Sequence, residues 1–176
     1  LLTRKETAKA QITKKREQLK ERLQAIKSER KKLVVEKLDA QFDNFNDRYV
    51  ESFSNTLNKM EDVLQRISSR MEKAASAGRD VSASQNAISS ATTTIAAARG
   101  AVATQAAKTY TIVVTTEEAL RQAVEAVRQA LRADLTAVRD LVKVAHEAVQ
   151  NAAMTLAQIP NVNAEEIESD DVADTN

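Results

Sequence analysis

An eleven-residue repeat runs through the C-terminal half of the chain and decides what kind of element that half can form. From position 119 it reads ALRQAVEAVRQ, ALRADLTAVRD and LVKVAHEAVQN, followed by a degenerate AAMTLAQIP. Leu120, Leu131 and Val142 share one slot, Val124, Leu135 and His146 the next, and Val127, Val138 and Val149 a third. Eleven residues over three turns is about 3.67 per turn, so the apolar seam runs straight or drifts slightly right-handed. A long amphipathic helix of this kind must lay its seam against sister helices, another chain or a lipid surface.

Two Gly and one Pro are the whole stock of helix punctuation in 176 residues, so the elements are few and long. Aromatic residues make up 3% of the chain, too little for the usual compact core, which leaves Leu, Ile, Val and Ala seams between parallel rods. The absence of Cys excludes disulfides, thiol catalysis and Cys-ligated metal centres. No apolar run approaches the roughly eighteen residues needed to span a bilayer.

The spacing predicts a first helix from Thr3 to Ala77, roughly 110 Å long, because neither Gly nor Pro interrupts it. Its second half has a seam of Phe42, Phe45, Tyr49, Phe53, Leu57, Met60, Leu64, Ile67, Met71 and Ala74, spaced by threes and fours, and its aromatics mark the expected thickest part of the core. Its first half is poorer, with Ile12, Leu19, Ile26 and Leu33 at every seventh position and Leu23 in support. Gly78 supplies the stop, and Asp80, or Ser82 with Gln85, can cap the next helix.

A second helix over 81–108 carries Val81, Ile88, Ile95 and Val102, with Ala91 and Ala98 between them. The β-branched run after Tyr110 resists helix and favours extended backbone. It is expected to pack in the groove where the second helix stops, the alternative being an exposed strand awaiting a partner. Thr115 with Glu118 forms a capping box for a third helix over 116–159, which Pro160 ends. The lengths of these legs match if the linker runs on past the second helix.

The expected fold is therefore all-α, an elongated antiparallel three-helix bundle or coiled coil over 36–159 with helices at about 36–77, 81–108 and 116–159. Residues 1–35, the first half of the very long first helix, would project as a basic arm. A short extended linker would join helices 2 and 3, and residues 160–176 would form an acidic, aperiodic, disordered tail.

The formal net charge of +1 conceals a dipole. Residues 1–37 hold 13 Lys and Arg against five Asp and Glu, whereas the remainder holds 13 against 20. Lys14, Lys15, Arg16, Lys20, Lys27, Arg30, Lys31 and Lys32 form the candidate interaction arm. They are suited to phosphates or to other anionic polymers or acidic proteins, through salt-sensitive, sequence-blind contacts. No aromatic is interleaved for base stacking and no DNA-reading module is evident. The same segment can instead self-associate as a weak coiled coil through Ile12, Leu19, Leu23, Ile26 and Leu33.

Other candidates read more blandly. Asp39, Asp43, Asp47 and Glu51 make an acidic ridge, without the Glu-x-x-His partners that helical-bundle metal sites use. His146 sits at a seam edge with no second His or Cys to join it as a ligand. No nucleophile elbow, phosphate-binding Gly loop or HExxH motif occurs, so neither an enzyme, a small-molecule substrate nor a cofactor is expected.

Lipid binding by the third helix is weighed on its flanks. Arg121, Arg128, Arg132, Arg139 and Lys143 lie on one side of the seam and, Asp134 apart, alanines on the other. That asymmetry suits two different helical neighbours better than one bilayer, where cations border both sides. Membrane contact from this segment alone is not expected.

The stretches Glu29-Arg30-Lys31-Lys32, Glu36-Lys37-Leu38-Asp39, Ala107-Lys108-Thr109-Tyr110-Thr111-Ile112, Leu131-Arg132-Ala133-Asp134-Leu135 and Val138-Arg139-Asp140-Leu141-Val142-Lys143 together resemble a group of proteins. These are mostly helical, uncharacterised proteins of uncultivated small-genome bacteria. The resemblance covers nearly the whole chain before Pro160 and implies a coiled-coil-like fold and export after removal of a signal peptide. That would fit a start at Leu1 and a secreted or cell-envelope location. It implies no activity. The expected function is a non-enzymatic structural or interaction protein whose basic arm self-associates or docks on an anionic surface. The alternatives are a nucleic-acid or polyanion binder using the arm and a lipid-surface-binding amphipathic protein.

Overall fold

A computed structural model describes the backbone of residues 2–23, 26–114 and 116–160, and side chains from Ala10 onward except at 12, 15 and 22. The described residues form four helices and no strand: α1, Leu2–Leu23; α2, Glu29–Ser76; α3, Ser82–Ala106; and α4, Leu120–Ala157. The acidic tail beyond Pro160, Thr115 of the expected capping box and the Ile12 side chain lie outside the described residues.

The single long first helix is corrected. α1 stops at Leu23 and α2 starts at Glu29. Between them the Ile26 N–H donates to the Leu23 carbonyl at 3.0 Å. The N–H groups of Lys31 and Lys32 both donate to the Ser28 carbonyl, which makes Ser28 the N-cap of α2. Burial drives the break. Leu19, Leu23 and Ile26 join Val35, Phe42, Tyr110, Ile112, Val114 and Leu131 in one buried cluster. Each such aliphatic side chain contributes about 1.5–3 kcal/mol on burial, whereas a helical hydrogen bond is worth only about 1 kcal/mol net. Breaking a turn to bury three of them is favourable.

The chain divides into two compact units, Leu1–Ser54 with Gly100–Asp140, and Asn55–Arg99 with Leu141–Asn176. The segment expected to project as an arm, 1–35, is thus part of the first unit and contributes to its core. The second unit buries Leu57, Met60, Leu64 and Ile67 of α2, Ala91, Ile95 and Ala98 of α3, and Val142, Ala145, Val149, Ala152 and Leu156 of α4. Alanines at these contacts let helix axes approach closely. On its surface Arg99 of α3 donates to Asn58 and Glu61 of α2.

Helix ends follow local chemistry. Gly78 takes φ +73°, its N–H donates to the Ala75 carbonyl and the Arg79 N–H donates to the Ala74 carbonyl. These two bonds are the Schellman pattern that a left-handed C′ residue permits. The Asp80 carboxylate accepts the Ser82 N–H at 3.0 Å, so of the two expected caps Asp80 is the one used. α4 starts at Leu120 rather than 116, after a turn in which the Thr116 hydroxyl accepts the Ala119 N–H at 3.3 Å.

The expected aromatic core is also corrected. Phe45 is 51% exposed and Tyr49 47%, while Phe42 is buried. The side chains that face inward near them are polar: Asp39, Asp43 and Asn46 are all buried. The reason lies in the linker.

Candidate functional site

Residues 107–114 connect α3 to the turn before α4 without forming a helix or a strand. Tyr110, Ile112 and Val114 are buried and Val113 is exposed, an alternation that buries one face of an extended segment, as the groove reading expects. Its backbone N–H groups still need acceptors. The Asp43 carboxylate accepts the Tyr110 N–H at 3.4 Å, and Asp39 accepts that of Ile112 at 3.0 Å. Four residues of helix rise about 6 Å and two extended residues advance about 6.6 Å, so carboxylates at i and i+4 match alternate N–H groups running the other way. Asn46 continues the row, donating to the carbonyls of Gln105 at 3.3 Å and Lys108 at 3.5 Å.

A second layer closes over this strap. The Gln105 side-chain amide donates to Asn46 and to the Tyr110 hydroxyl, both at 2.7 Å, and that hydroxyl donates to Asp134 at 2.7 Å. Lys108 pairs with the same Asp134 at 2.7 Å. Desolvation pushes the Asp134 carboxyl up, but the bonds from Lys108 and Tyr110 outweigh it and leave it below the usual range. Burial, with the Asp134 bond, pushes the Tyr110 phenol well above its ordinary value.

Burial likewise raises Asp39 and Asp43 above the usual carboxylate range. The linker N–H bonds and the Arg16 charge act against it. The acidic ridge is therefore split: Asp39 and Asp43 are buried acceptors, and Asp47 and Glu51 face solvent. No group of three His, Cys, Asp or Glu able to hold a metal occurs among the described residues. His146 is exposed.

The basic candidates divide by use. Arg16 donates to Asp43 at 3.1 Å, Lys31 pairs with Glu117, and Lys32 pairs with Glu29 at 2.7 Å. The Lys27 N–H also bonds Glu117. Lys14, Lys20 and Arg30 are exposed and form no ion pair with any described residue, and the Lys15 side chain lies outside the described residues. Of the apolar seam offered for self-association, Leu19, Leu23 and Ile26 are buried within the first unit. Only Leu33 of that seam is exposed among the described residues. On α4 the cations Arg121, Arg128, Arg132, Arg139 and Lys143 are all exposed. Arg128, Arg139 and Lys143 pair along their own helix with Glu125, Asp140 and Glu147.

Sequence reasoning missed Asn46, Gln105 and Asp134 as members of the buried network. The available signal was polar residues at i and i+3 or i+4 on the face opposite an extended segment that needed acceptors. Comparison with known protein families, with curated proteins and with solved structures finds no match for this chain.

Proposed function

We propose that the protein is a non-enzymatic, exported interaction module in which a helical scaffold presents cations of the α1–α2 hairpin to an anionic surface. The carrying observation is the division of the basic residues. Arg16, Lys31 and Lys32 are tied down by acids of the chain, whereas Lys14, Lys20 and Arg30 remain exposed. Because Leu19 and Leu23 of α1 are held in the core, docking is favoured over self-association through residues 1–35. The resemblance to exported helical proteins supports the location. Contacts of this kind release counterions and weaken steeply with salt.

The test is binding of the full chain to soluble long-chain polyphosphate over a salt series. Binding should fall as salt rises, and Lys14→Gln with Lys20→Gln and Arg30→Gln should weaken it by about tenfold at low salt. Equal binding by the triple variant, or binding indifferent to salt, would overturn the reading.

A further inference from the structure

Between Arg30 and Tyr49 the exposed cations Arg30, Lys37 and Arg48 of α2 lie along one side of the helix, and the exposed acid Asp47 lies on another. On a helical wheel of about 100° per residue, Val34, Leu38, Phe45 and Tyr49 form one stripe, bordered on its inner side by the buried face. Arg30, Lys37 and Arg48 lie along its outer border with Gln41 among them, and all four are exposed. Leu33 is exposed beyond that row of cations. The acids of the same stretch, Glu36, Asp39, Asp43 and Asp47, fall on the other side of the helix. From another element Glu117 approaches the stretch, already paired with Lys31.

Bulky side chains are left in water here. Leu33 is 66% exposed and Val34 52%, in addition to Phe45 and Tyr49. Tyr49 and Phe53 touch, with ring centroids 5.9 Å apart.

We propose that this face of α2 lies on an anionic lipid bilayer, with Val34, Phe45 and Tyr49 entering the boundary between headgroups and acyl chains and Arg30, Lys37 and Arg48 meeting lipid phosphates. The inference rests on the anionic-surface reading for its charge and adds the apolar anchors. A soluble polyanion engages the cations and gives the three apolar side chains nothing. A bilayer takes both, since Lys and Arg stems run along apolar surface with their heads at the phosphates, and Tyr suits the headgroup level.

A second copy fits less well. Two-fold pairing of this face about its middle sets Arg30 opposite the partner's Arg48 and one Lys37 near the other, with no acid on the face to relieve them. Among the described residues no helix is long and apolar enough to cross a membrane, so the contact would be one that lies on the surface.

The experiment is co-sedimentation of the full chain with vesicles of equal parts phosphatidylglycerol and phosphatidylcholine, beside pure phosphatidylcholine vesicles and the polyphosphate assay. The wild type should sediment with the anionic vesicles and not with the neutral ones. Phe45→Ser with Tyr49→Ser should weaken vesicle binding by roughly tenfold or more, by loss of buried apolar area. The same variant should bind polyphosphate as the wild type does. Both positions are exposed, and unchanged helicity checks that the variant is folded.

Vesicle binding indifferent to the aromatic substitutions overturns the lipid inference and leaves the anionic-surface reading standing. Failure of the wild type to bind either vesicles or polyphosphate overturns both. A vesicle-free dimer in light scattering that the aromatic variant dissociates overturns the inference in favour of a second copy.

Discussion

Arg16 donates to Asp43 at 3.1 Å although 27 positions separate them. In one continuous helix they would stand about 40 Å apart. The contact records the fold-back of α1 on α2, and its acceptor also holds the Tyr110 N–H of the linker. One buried carboxylate thus ties the N-terminal helix to the strap that leads out of α3.

Removing the guanidinium should therefore loosen two elements together. Arg16→Met keeps the apolar stem but leaves Asp43 and Asp39 without the cation that offsets their charge. The expected loss is about 1–2 kcal/mol in urea unfolding, with faster hydrogen exchange in α1. Adding Asp43→Asn should cost less than the sum of the two single changes, because the stranded charge is gone.

Asp39 gives a pH dependence whose sign can be worked out. Its folded pKa is raised, so the native state holds this proton more tightly than the unfolded chain, and the ionised form weighs against folding at higher pH. Asp39→Asn keeps an oxygen for the Ile112 N–H and never ionises. The variant should match the wild type below the ordinary carboxylate value of about 3.9. It should gain on the wild type as pH rises through the raised value and hold that advantage to neutrality. Urea midpoints across a pH series measure the difference, and a wild type that gains on the variant with rising pH would contradict it.

The two glycines should respond with opposite signs. Gly78 has φ +73° and nothing within 4 Å of an added Cβ, so Gly78→Ala meets no clash and bears only the left-handed backbone cost. That amounts to about 1–2 kcal/mol of destabilisation. Gly100 lies inside α3, exposed and with open space around an added Cβ. Gly100→Ala should stabilise by about 0.5–1 kcal/mol through helix propensity. Thermal melts of the two variants on either side of the wild type are the expected outcome.

Much of the local structure was legible in the sequence because its causes are local. Gly78 ends α2, Asp80 caps α3, and the β-branched run after Tyr110 is extended with alternate residues buried. The repeat in α4 points inward through Leu131, Val138, Val142 and Val149, while the His146 copy of the middle slot turns out to solvent.

The candidate surface was half legible. The excess of cations before position 38 is a property of composition, but which of them are spent on Asp43, Glu117 and Glu29 depends on partners from elsewhere in the fold. The exposure of Phe45 and Tyr49 runs against their hydrophobicity and could not be read from spacing.

By itself, then, the sequence determined that the protein is all-helical, where most helices end, and that one extended strap interrupts them, since these arise from backbone preferences of neighbouring residues. Only the tertiary structure decided that α1 folds back and which side of α2 faces the core. Burial of Leu19, Leu23 and Ile26 outweighed the unbroken helix that local propensity favoured. The strap's N–H groups required acceptors that Asp39 and Asp43 could give, and turning those carboxylates inward moved Phe45 and Tyr49 to the surface.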